Sequence, residues 1–234
     1  MKTSFLWKMV FVCLIIFFIG CSGKSTSIEG KVIDGKGQPL VNVTVAAKMS
    51  QPIKGYEQFE TTTGADGSFK FNKLFPTSEY QLIFYSDRWM TENKIKIDTG
   101  LEKVKKILPS PVMIRFMDSK EGVVLDTKTN LMWAEKDNGS NINWQNAKIY
   151  CENYQGGGYS DWRMPTVEEL MVLDENKNCK DAITFTADHG DAIIWSSKES
   201  SGDAVFYFTS SGEWRWVWKS YNMYTRALPV RSNK

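Results

Sequence analysis

The chain has 234 residues, of which 42% are hydrophobic and 24% are charged, and its formal net charge at pH 7 is +2. This composition excludes an intrinsically disordered chain, and the near-zero charge excludes the strongly basic surface that is typical of nucleic-acid-binding proteins. The length suits a short leader followed by one large domain or two small ones.

The N-terminus has the pattern of an export signal with a lipid anchor. Two lysines precede an apolar run over residues 9–19, which is shorter than the roughly 20 residues that a membrane-spanning helix needs. Gly20 and Cys21 end the run and resemble a lipobox, the cleavage site of bacterial lipoproteins. We expect residues 1–20 to be a signal peptide and Cys21 to carry acyl chains, palmitate among them, because several chains together anchor a protein stably.

The residues after Cys21 indicate where such an anchor would hold the protein. Ser22 is typical of lipoproteins sorted to the outer membrane in enteric-type bacteria, so we expect a cell-envelope protein anchored there. The alternative is an ordinary cleaved signal that releases a soluble protein. Residues 21–27 are a short tether that spans about 20 Å at most, which would keep the next domain near the membrane.

The pattern of residues 28–108 predicts an antiparallel β-sandwich, because short alternating segments are separated by turn residues. Asp66-Gly67 is a strong hairpin-turn signal, and Phe69 and Phe71 follow it at the period of a strand. A wider set of positions matches one family: Gly30, Val32, Asp34, Gly37, Pro39, Leu40, Val43, Val45, Thr62, Asp66, Gly67, Ser68, Phe69 and Phe71. In them the segment resembles the carboxypeptidase regulatory-like domains, which are Ig-like, transthyretin-like sandwiches. The resemblance implies an accessory module without catalytic residues.

A second domain is predicted over residues 114–234, after a stiff proline-containing linker at 109–113. Asn143 is a candidate N-cap for a helix in which apolar residues recur at helical spacing from Trp144 onward. A second helix is expected after Thr166, and short strands follow it to the C-terminus. Two helices followed by short strands predict an α+β domain.

The stretch 157–170 combines a glycine turn, an aromatic anchor and a capped helix. Thr166 and Glu169 form a Thr-x-x-Glu capping box, which starts a helix. The residues that define the motif are Tyr159, Asp161, Trp162, Arg163, Pro165, Thr166 and Glu169. With Met164 in place of the usual leucine, they resemble the family named after the C-terminal domain of the Legionella collagen-like protein, the Lcl C-terminal domain. The resemblance implies a C-type-lectin-like fold, related in shape to the formylglycine-generating enzymes.

Two cysteines remain once Cys13 is lost with the leader and Cys21 is acylated. In an exported chain, Cys151 and Cys179 are most simply a disulfide, which would stabilise the protein by roughly 3–4 kcal/mol. A zinc site needs more ligands than the single histidine and two cysteines supply, and a thiol-redox role lacks the Cys-x-x-Cys spacing.

The sequence contains no complete catalytic constellation. His189 lies between acidic residues, but the Gly-x-Ser-x-Gly elbow of a serine hydrolase is missing. Asp118, Glu121 and Asp126 do not have the spacing of an EF-hand and are expected to line a turn. The formylglycine-generating enzymes use a late cysteine pair, whereas no cysteine follows Cys179 here. We therefore expect no enzyme, no metal and no cofactor, with an oxidative or hydrolytic enzyme as a lesser alternative.

The strand predicted over residues 214–219 carries three tryptophans at alternate positions. They occupy one face, and Arg215, Val217 and Lys219 occupy the other. Their size favours a place in the core. The alternative is an exposed aromatic surface for sugar rings, with basic residues nearby for sulfate or carboxylate groups. That candidate ligand site consists of Trp214, Arg215, Trp216, Trp218, Lys219, Arg226 and Arg231.

The leading hypothesis is a non-enzymatic lipoprotein of the cell envelope that presents a lectin-like domain on a β-sandwich stalk. The resemblance implies a sulfated or acidic glycan as ligand, or else an envelope protein. The alternative is a structural or assembly protein that contacts other envelope components. No sequence pattern indicates the oligomeric state.

Overall fold

The computed structural model describes residues 25–87, 89–90, 94–119, 121–175, 179, 182–186 and 192–233. The predicted signal peptide, Cys21 and His189 lie outside these ranges. Strands make up most of the regular structure, and within the described ranges no helix is long and apolar enough to cross a membrane.

In the first domain, the residues that the structure describes form eight strands in two sheets. Their bounds are β1 (Thr26–Asp34), β2 (Thr44–Met49), β3 (Gln58–Thr62), β4 (Ser68–Leu74), β5 (Glu79–Tyr85), β6 (Trp89–Met90), β7 (Ile95–Asp98) and β8 (Lys105–Ile107). In one sheet β1 pairs with β4 and β8, and in the other β2 lies between β3 and β5. Alternation buries Phe69 and Phe71 of β4 against Tyr80, Leu82 and Phe84 of β5. The predicted β-sandwich is confirmed.

The turn predicted at Asp66-Gly67 forms between β3 and β4, but it does not close a hairpin, because β3 pairs with β2 and β4 pairs with β1 in the other sheet. Gly67 has φ of 73°, and a Cβ at this position would collide with the carbonyl oxygen of Val32. Only glycine meets both conditions without strain, which explains why the turn is located here.

The described residues of the second domain form nine strands and two α-helices. Their bounds are β9 (Val112–Ile114), β10 (Phe116–Ser119), β11 (Val123–Asp126), β12 (Leu131–Ala134), α1 (Trp144–Glu152), α2 (Val167–Asp174), β13 (Ile193–Glu199), β14 (Asp203–Phe208), β15 (Trp214–Trp218), β16 (Thr225–Arg226) and β17 (Val230–Ser232). A four-stranded sheet has the order β15-β14-β13-β16. Strands β10, β11, β12 and β17 instead continue the larger sheet of the first domain.

Strand pairing joins the two domains directly. β6 pairs with β5 on one side and with β10 on the other, so one sheet runs through both domains. β9 runs parallel to β1, with Val112 opposite Val32, so the predicted linker at 109–113 ends inside a strand. The second domain is therefore docked onto the first by main-chain hydrogen bonds.

Both predicted helices are confirmed at their N-termini. The Asn143 side chain accepts a hydrogen bond from Asn146 N at 2.9 Å, and Thr166 accepts one from Glu169 N at 3.1 Å. α1 packs on one face of the four-stranded sheet, beside Trp195 and Phe206. α2 packs on the other face, beside Ile194 and Tyr207.

The predicted disulfide is wrong in this structure, because the two cysteines lie in different hydrophobic clusters. Cys151 is buried beside Trp144 and Met164, on the α1 side of the four-stranded sheet. Cys179 is buried with the α2 cluster, where its sulfur lies 3.7 Å from Asp174 Oδ1. Burial raises the pKa of the Cys151 thiol to about 12, so this thiol stays protonated at neutral pH.

Candidate functional site

The three tryptophans of β15 are exposed on one face of the strand. The exposed fraction is 41% for Trp214, 45% for Trp216 and 76% for Trp218, whereas Trp133 and Trp195 are fully buried. The expectation that these side chains belong to the core is wrong, and the alternative of an exposed aromatic surface agrees with their burial. We call Trp214, Trp216 and Trp218 the tryptophan platform.

The position of β15 in its sheet explains why the platform is exposed. Among the strands that the structure describes, β15 pairs with β14 alone and is an edge strand, and Val217 on its opposite face packs into the α1 cluster. On the platform side, α2 covers Ile194 of β13 and Tyr207 of β14, and Tyr207 donates a hydrogen bond to Asp174 Oδ2 at 3.2 Å. The helix therefore shields the two inner strands and leaves the tryptophans of the edge strand in solvent.

One cation lies against the tryptophan platform, and the sequence did not point to it. Lys198 Nζ lies 4.7 Å from the ring centroid of Trp214 and 5.8 Å from that of Trp216, within cation–π range. Lys198 belongs to β13 and reaches the platform across β14. Because the strand order brings them together, no local pattern could have identified this residue.

The two basic residues that neighbour the tryptophans in sequence point to the other face of β15. Arg215 pairs with Glu213 at 3.1 Å, and its guanidinium lies 5.2 Å from the ring centroid of Phe208. Lys219 pairs with Glu199 at 2.6 Å. Neither cation contacts the platform, so the strand separates the aromatic surface from these charges.

Arg226 and Arg231 are internal structural residues, which contradicts their predicted role beside the platform. They are only 3% and 5% exposed. Arg226 donates to the Thr186 carbonyl oxygen at 2.9 Å and to Asn141 Oδ1 at 2.6 Å. Arg231 Nε donates to Asp161 Oδ1 at 2.6 Å. These hydrogen bonds compensate for burying two charged groups and leave neither of them exposed to a ligand.

An ion pair and a helix cap hold the second half of the motif at 157–170 together. Arg163 donates through both terminal nitrogens to the Glu169 carboxylate, at 2.6 and 2.7 Å. The same carboxylate accepts from Thr166 N at 2.8 Å, which completes the predicted capping box. Burial alone would raise the pKa of Glu169, but the hydrogen bonds from Arg163 and Thr166 outweigh it and hold that pKa below its usual value.

The first half of the motif is an aromatic anchor. Trp162 is 3% exposed, donates from Nε1 to the Gly156 carbonyl oxygen at 3.2 Å, and packs edge-on against Tyr154. The Arg231 guanidinium lies 3.8 Å from the ring centroid of Tyr159. The motif residues thus contact one another or other residues of the same domain, as expected of groups that define a fold.

The acidic residues suggested as metal ligands have no metal-binding arrangement. Asp126 is fully buried and pairs with Arg115 at 2.9 Å, so its carboxylate neutralises an internal cation. Within the part of the chain that the structure describes, no three His, Cys, Asp or Glu side chains lie close enough to hold a metal ion.

Two concave surfaces lie away from the platform. A cavity of about 240 Å³ lies beside the N-terminal end of α1 and is lined by Trp144, Lys148 and Arg163. A groove of about 700 Å³ lies in the first domain, between β1, β4 and residues 109–111. Arg163 is paired with Glu169, and in the groove Lys70 is paired with Glu29, so these cations are already balanced by charge.

Family comparisons identify both domains. Residues 27–105 match the carboxypeptidase regulatory-like domain, and residues 122–231 match the Lcl C-terminal domain. The two matches occur in the order that the sequence motifs indicated. No curated protein matches the chain as a relative.

Three solved structures show the range of proteins to which the chain has a distant likeness. Catechol 1,2-dioxygenase from Acinetobacter sp. ADP1 is 10% identical, with 35% of this chain and 38% of that chain covered and a TM-score of 0.26. The C-terminal 282-residue fragment of intimin, in complex with the intimin-binding domain of its translocated receptor, is 12% identical, with 89% and 97% covered and a TM-score of 0.35. A type II cohesin–X-dockerin complex from Acetivibrio cellulolyticus is 13% identical, with 54% and 72% covered and a TM-score of 0.26. The chain thus spans well under two thirds of the length of the dioxygenase.

Proposed function

We propose that this is a non-enzymatic binding protein whose second domain binds a glycan by stacking sugar rings on the tryptophan platform. The observation that carries the proposal is the exposure of three neighbouring tryptophans on one face of an edge strand, between 41% and 76%. In the wider proposal, acylated Cys21 anchors the protein in the outer membrane, the first domain acts as the stalk, and the second domain is C-type-lectin-like.

The physical chemistry of tryptophan favours this use of the surface. Its ring is large, has a negative face, and carries a polar N–H that tolerates a wet environment. Burying apolar surface lowers the free energy by about 25 cal/mol for each Å², and tryptophans left in water do not gain this stabilisation. Clusters of exposed tryptophans therefore mark binding sites more often than chance. Sugar rings offer flat C–H faces that cover this surface while their hydroxyl groups stay hydrated.

The charges around the platform predict how an acidic glycan would bind. Lys198 lies over Trp214 and Trp216 and provides a charge-assisted hydrogen bond to a sulfate or carboxylate. Arg226 and Arg231 are engaged inside the domain. We therefore expect ring stacking to supply most of the affinity and salt to weaken binding only modestly, since one exposed cation is screened at physiological ionic strength.

The test is binding of the purified protein to a glycan array, followed by titration of the strongest ligand. Trp216→Ala removes the central ring, and a Leu101→Ala variant is the control, because Leu101 is 68% exposed and lies in the first domain. Trp216 exposes about 100 Å² of surface, and covering it with a sugar ring contributes about 2 kcal/mol to binding. The Trp216→Ala variant should therefore bind the glycan roughly 30-fold more weakly.

Two results would count against the proposal. The first is an array with no retained glycan, which would favour a structural or assembly role. That role predicts a stoichiometric protein partner from solubilised membranes. The second is equal affinity of the Trp216→Ala variant and the Leu101→Ala control, which would locate any binding elsewhere on the molecule.

A further inference from the structure

The main chain of β15 has hydrogen-bonding groups that face away from its sheet. Phe208 N donates to the Glu213 carbonyl oxygen at 2.8 Å, beside the hairpin turn. Lys219 N donates to the Gly202 carbonyl oxygen at 3.1 Å, at the other end of the strand. Residues at odd positions therefore direct their N–H and C=O groups toward β14. The platform residues, at even positions, direct their N–H and C=O groups outward. Of these outward groups, only the Trp218 carbonyl has a main-chain partner among the described residues, which is Tyr221 N at 2.9 Å.

A second edge in the molecule is built differently. β3 pairs with β2 and ends the larger sheet, and it carries polar side chains at Gln58, Glu60 and Thr62. The Glu60 carboxylate accepts hydrogen bonds from Gln58 and from Tyr85. Charged and polar edges of this kind discourage pairing with another strand. β15 has a different composition, with three tryptophans and no proline, and its one charged residue, Arg215, lies on the face opposite the platform and is paired with Glu213.

We propose that β15 pairs antiparallel with β15 of a second copy of this chain, about a two-fold axis at Trp216. In this register Trp216 forms a hydrogen-bonded pair with Trp216 of the second copy, which uses the outward groups of both strands. Trp214 lies opposite Trp218 of the second copy, and cross-strand aromatic pairs of this kind stabilise sheets. The platforms join edge to edge and their outer ring faces stay open, so the inference does not depend on glycan binding.

Charge at the two ends of the strand favours a second copy over an unrelated strand. The register that centres on Trp216 places Glu213 opposite Lys219 of the second copy, and symmetry repeats this contact at the other end. Opposite charges directly across a strand pair are favourable, and like charges are unfavourable. The strand is thus complementary to itself in the register that places all three tryptophans opposite tryptophans.

The size of the surface predicts a weak dimer. From the exposed fractions of the three tryptophans, the platform exposes about 400 Å² in each copy, and pairing covers less than this because the outer ring faces stay open. This places the interface at or below the low end of specific complexes, which bury about 1,200 Å² in total. We therefore expect association that depends on protein concentration.

The experiment is charge reversal, read by light scattering after size-exclusion chromatography of the purified full chain in non-ionic detergent. Glu213→Lys places like charges together at both ends, and so does Lys219→Glu. Each variant alone should dissociate about tenfold more readily than the natural protein. An equimolar mixture of the two variants restores opposite charges at both ends and should dimerise as the natural protein does. Glu102→Lys, in the first domain, is the control for a change in net charge.

The outcomes separate this pairing from other modes of association. Monomers at every concentration overturn the proposal, and so does a dimer that Glu213→Lys leaves unchanged. Lys219→Glu also removes the pair with Glu199, so a thermal melt must show that this variant folds. If Lys219→Glu does not fold, Glu213→Lys is tested alone. Raising the salt concentration should then strengthen the dimer of Glu213→Lys toward the affinity of the natural protein, because salt screens like charges. A salt effect in the opposite direction excludes this register.

Discussion

Replacing Glu169 with glutamine tests whether the motif at 157–170 stabilises the second domain by its ion pair. The Glu169 carboxylate accepts two hydrogen bonds from Arg163 and one from Thr166 N. Glutamine keeps one oxygen, which can still accept from Thr166 N, but it has no charge and cannot bind the guanidinium through two oxygens. We expect Glu169→Gln to fold with α2 in place and to be less stable.

The structure limits how large this effect can be. A hydrogen bond to a charged group contributes about 1.5–3 kcal/mol, and this pair has two of them. The Arg163 side chain is 42% exposed, however, so water screens the pair and reduces its contribution. We expect a loss of about 1–2 kcal/mol in the free energy of unfolding, or about 2–8 °C in melting temperature for a chain of this size.

The pH dependence of the loss follows from the lowered pKa of Glu169. A carboxyl group whose pKa is lower in the folded than in the unfolded state stabilises the fold above the unfolded pKa, about 4.3 for glutamate. That stabilisation disappears as the pH falls through the folded pKa. The natural protein and the variant should therefore differ fully at pH 7 and converge as the pH falls below the unfolded pKa and through the lower folded pKa.

Thermal melts followed by tryptophan fluorescence measure this difference, because most of the nine tryptophans belong to the second domain. Glu168→Gln is the matched control, since it removes the same charge from the neighbouring, exposed position of the same helical turn. We expect that control to lose no more than about 0.5 kcal/mol. Equal losses in the two variants, or a difference that does not change with pH, would refute the role of the ion pair.

Three further predictions concern the interior. Asp126→Asn leaves the Arg115 guanidinium buried without its charged partner, and urea titration should show a loss of about 3 kcal/mol in the free energy of unfolding. A loss under about 1 kcal/mol would contradict the buried pair. Gly67→Ala puts a Cβ where φ is 73° and the space is filled, so calorimetry should show that the first domain loses at least about 1–2 kcal/mol of stability. An unchanged melting temperature would contradict the conformation of that turn. Cys151 and Cys179 should titrate as two thiols with Ellman's reagent in urea, without reductant, and a reductant should leave the melting temperature unchanged. A single disulfide would reverse both results.

Features that depend on residues close together in the chain could be predicted from the sequence. Asn143 and Thr166 begin helices because each side chain bonds to a main-chain N–H three residues later. The turn at Asp66-Gly67 and the alternation of β4 and β5 likewise need only local sterics and a period of two. The two domain families were recognisable for the same reason, since their motifs are short runs of turn, anchor and cap residues.

The candidate site was predicted only in part. The alternation of residues 214–219 correctly indicated that the three tryptophans share a face, but their size favoured the core. Sequence alone does not say whether a strand lies at the edge of its sheet, and that position decides whether a large side chain is covered. Arg226 and Arg231 were misassigned for a related reason, because their acceptors Asn141 and Asp161 lie 85 and 70 residues away along the chain.

The order of the two domains could be predicted from the chain alone: a β-sandwich, followed by a domain with a capped helix and an aromatic anchor. Three features are visible only in the folded molecule: the tryptophan platform faces solvent, Lys198 lies against it, and Cys151 and Cys179 lie in separate clusters. The two groups of features differ in the range of the interactions that create them. Caps, turns and periodicity act within a few residues, whereas exposure and the meeting of distant side chains depend on which strands become neighbours and which faces the helices cover.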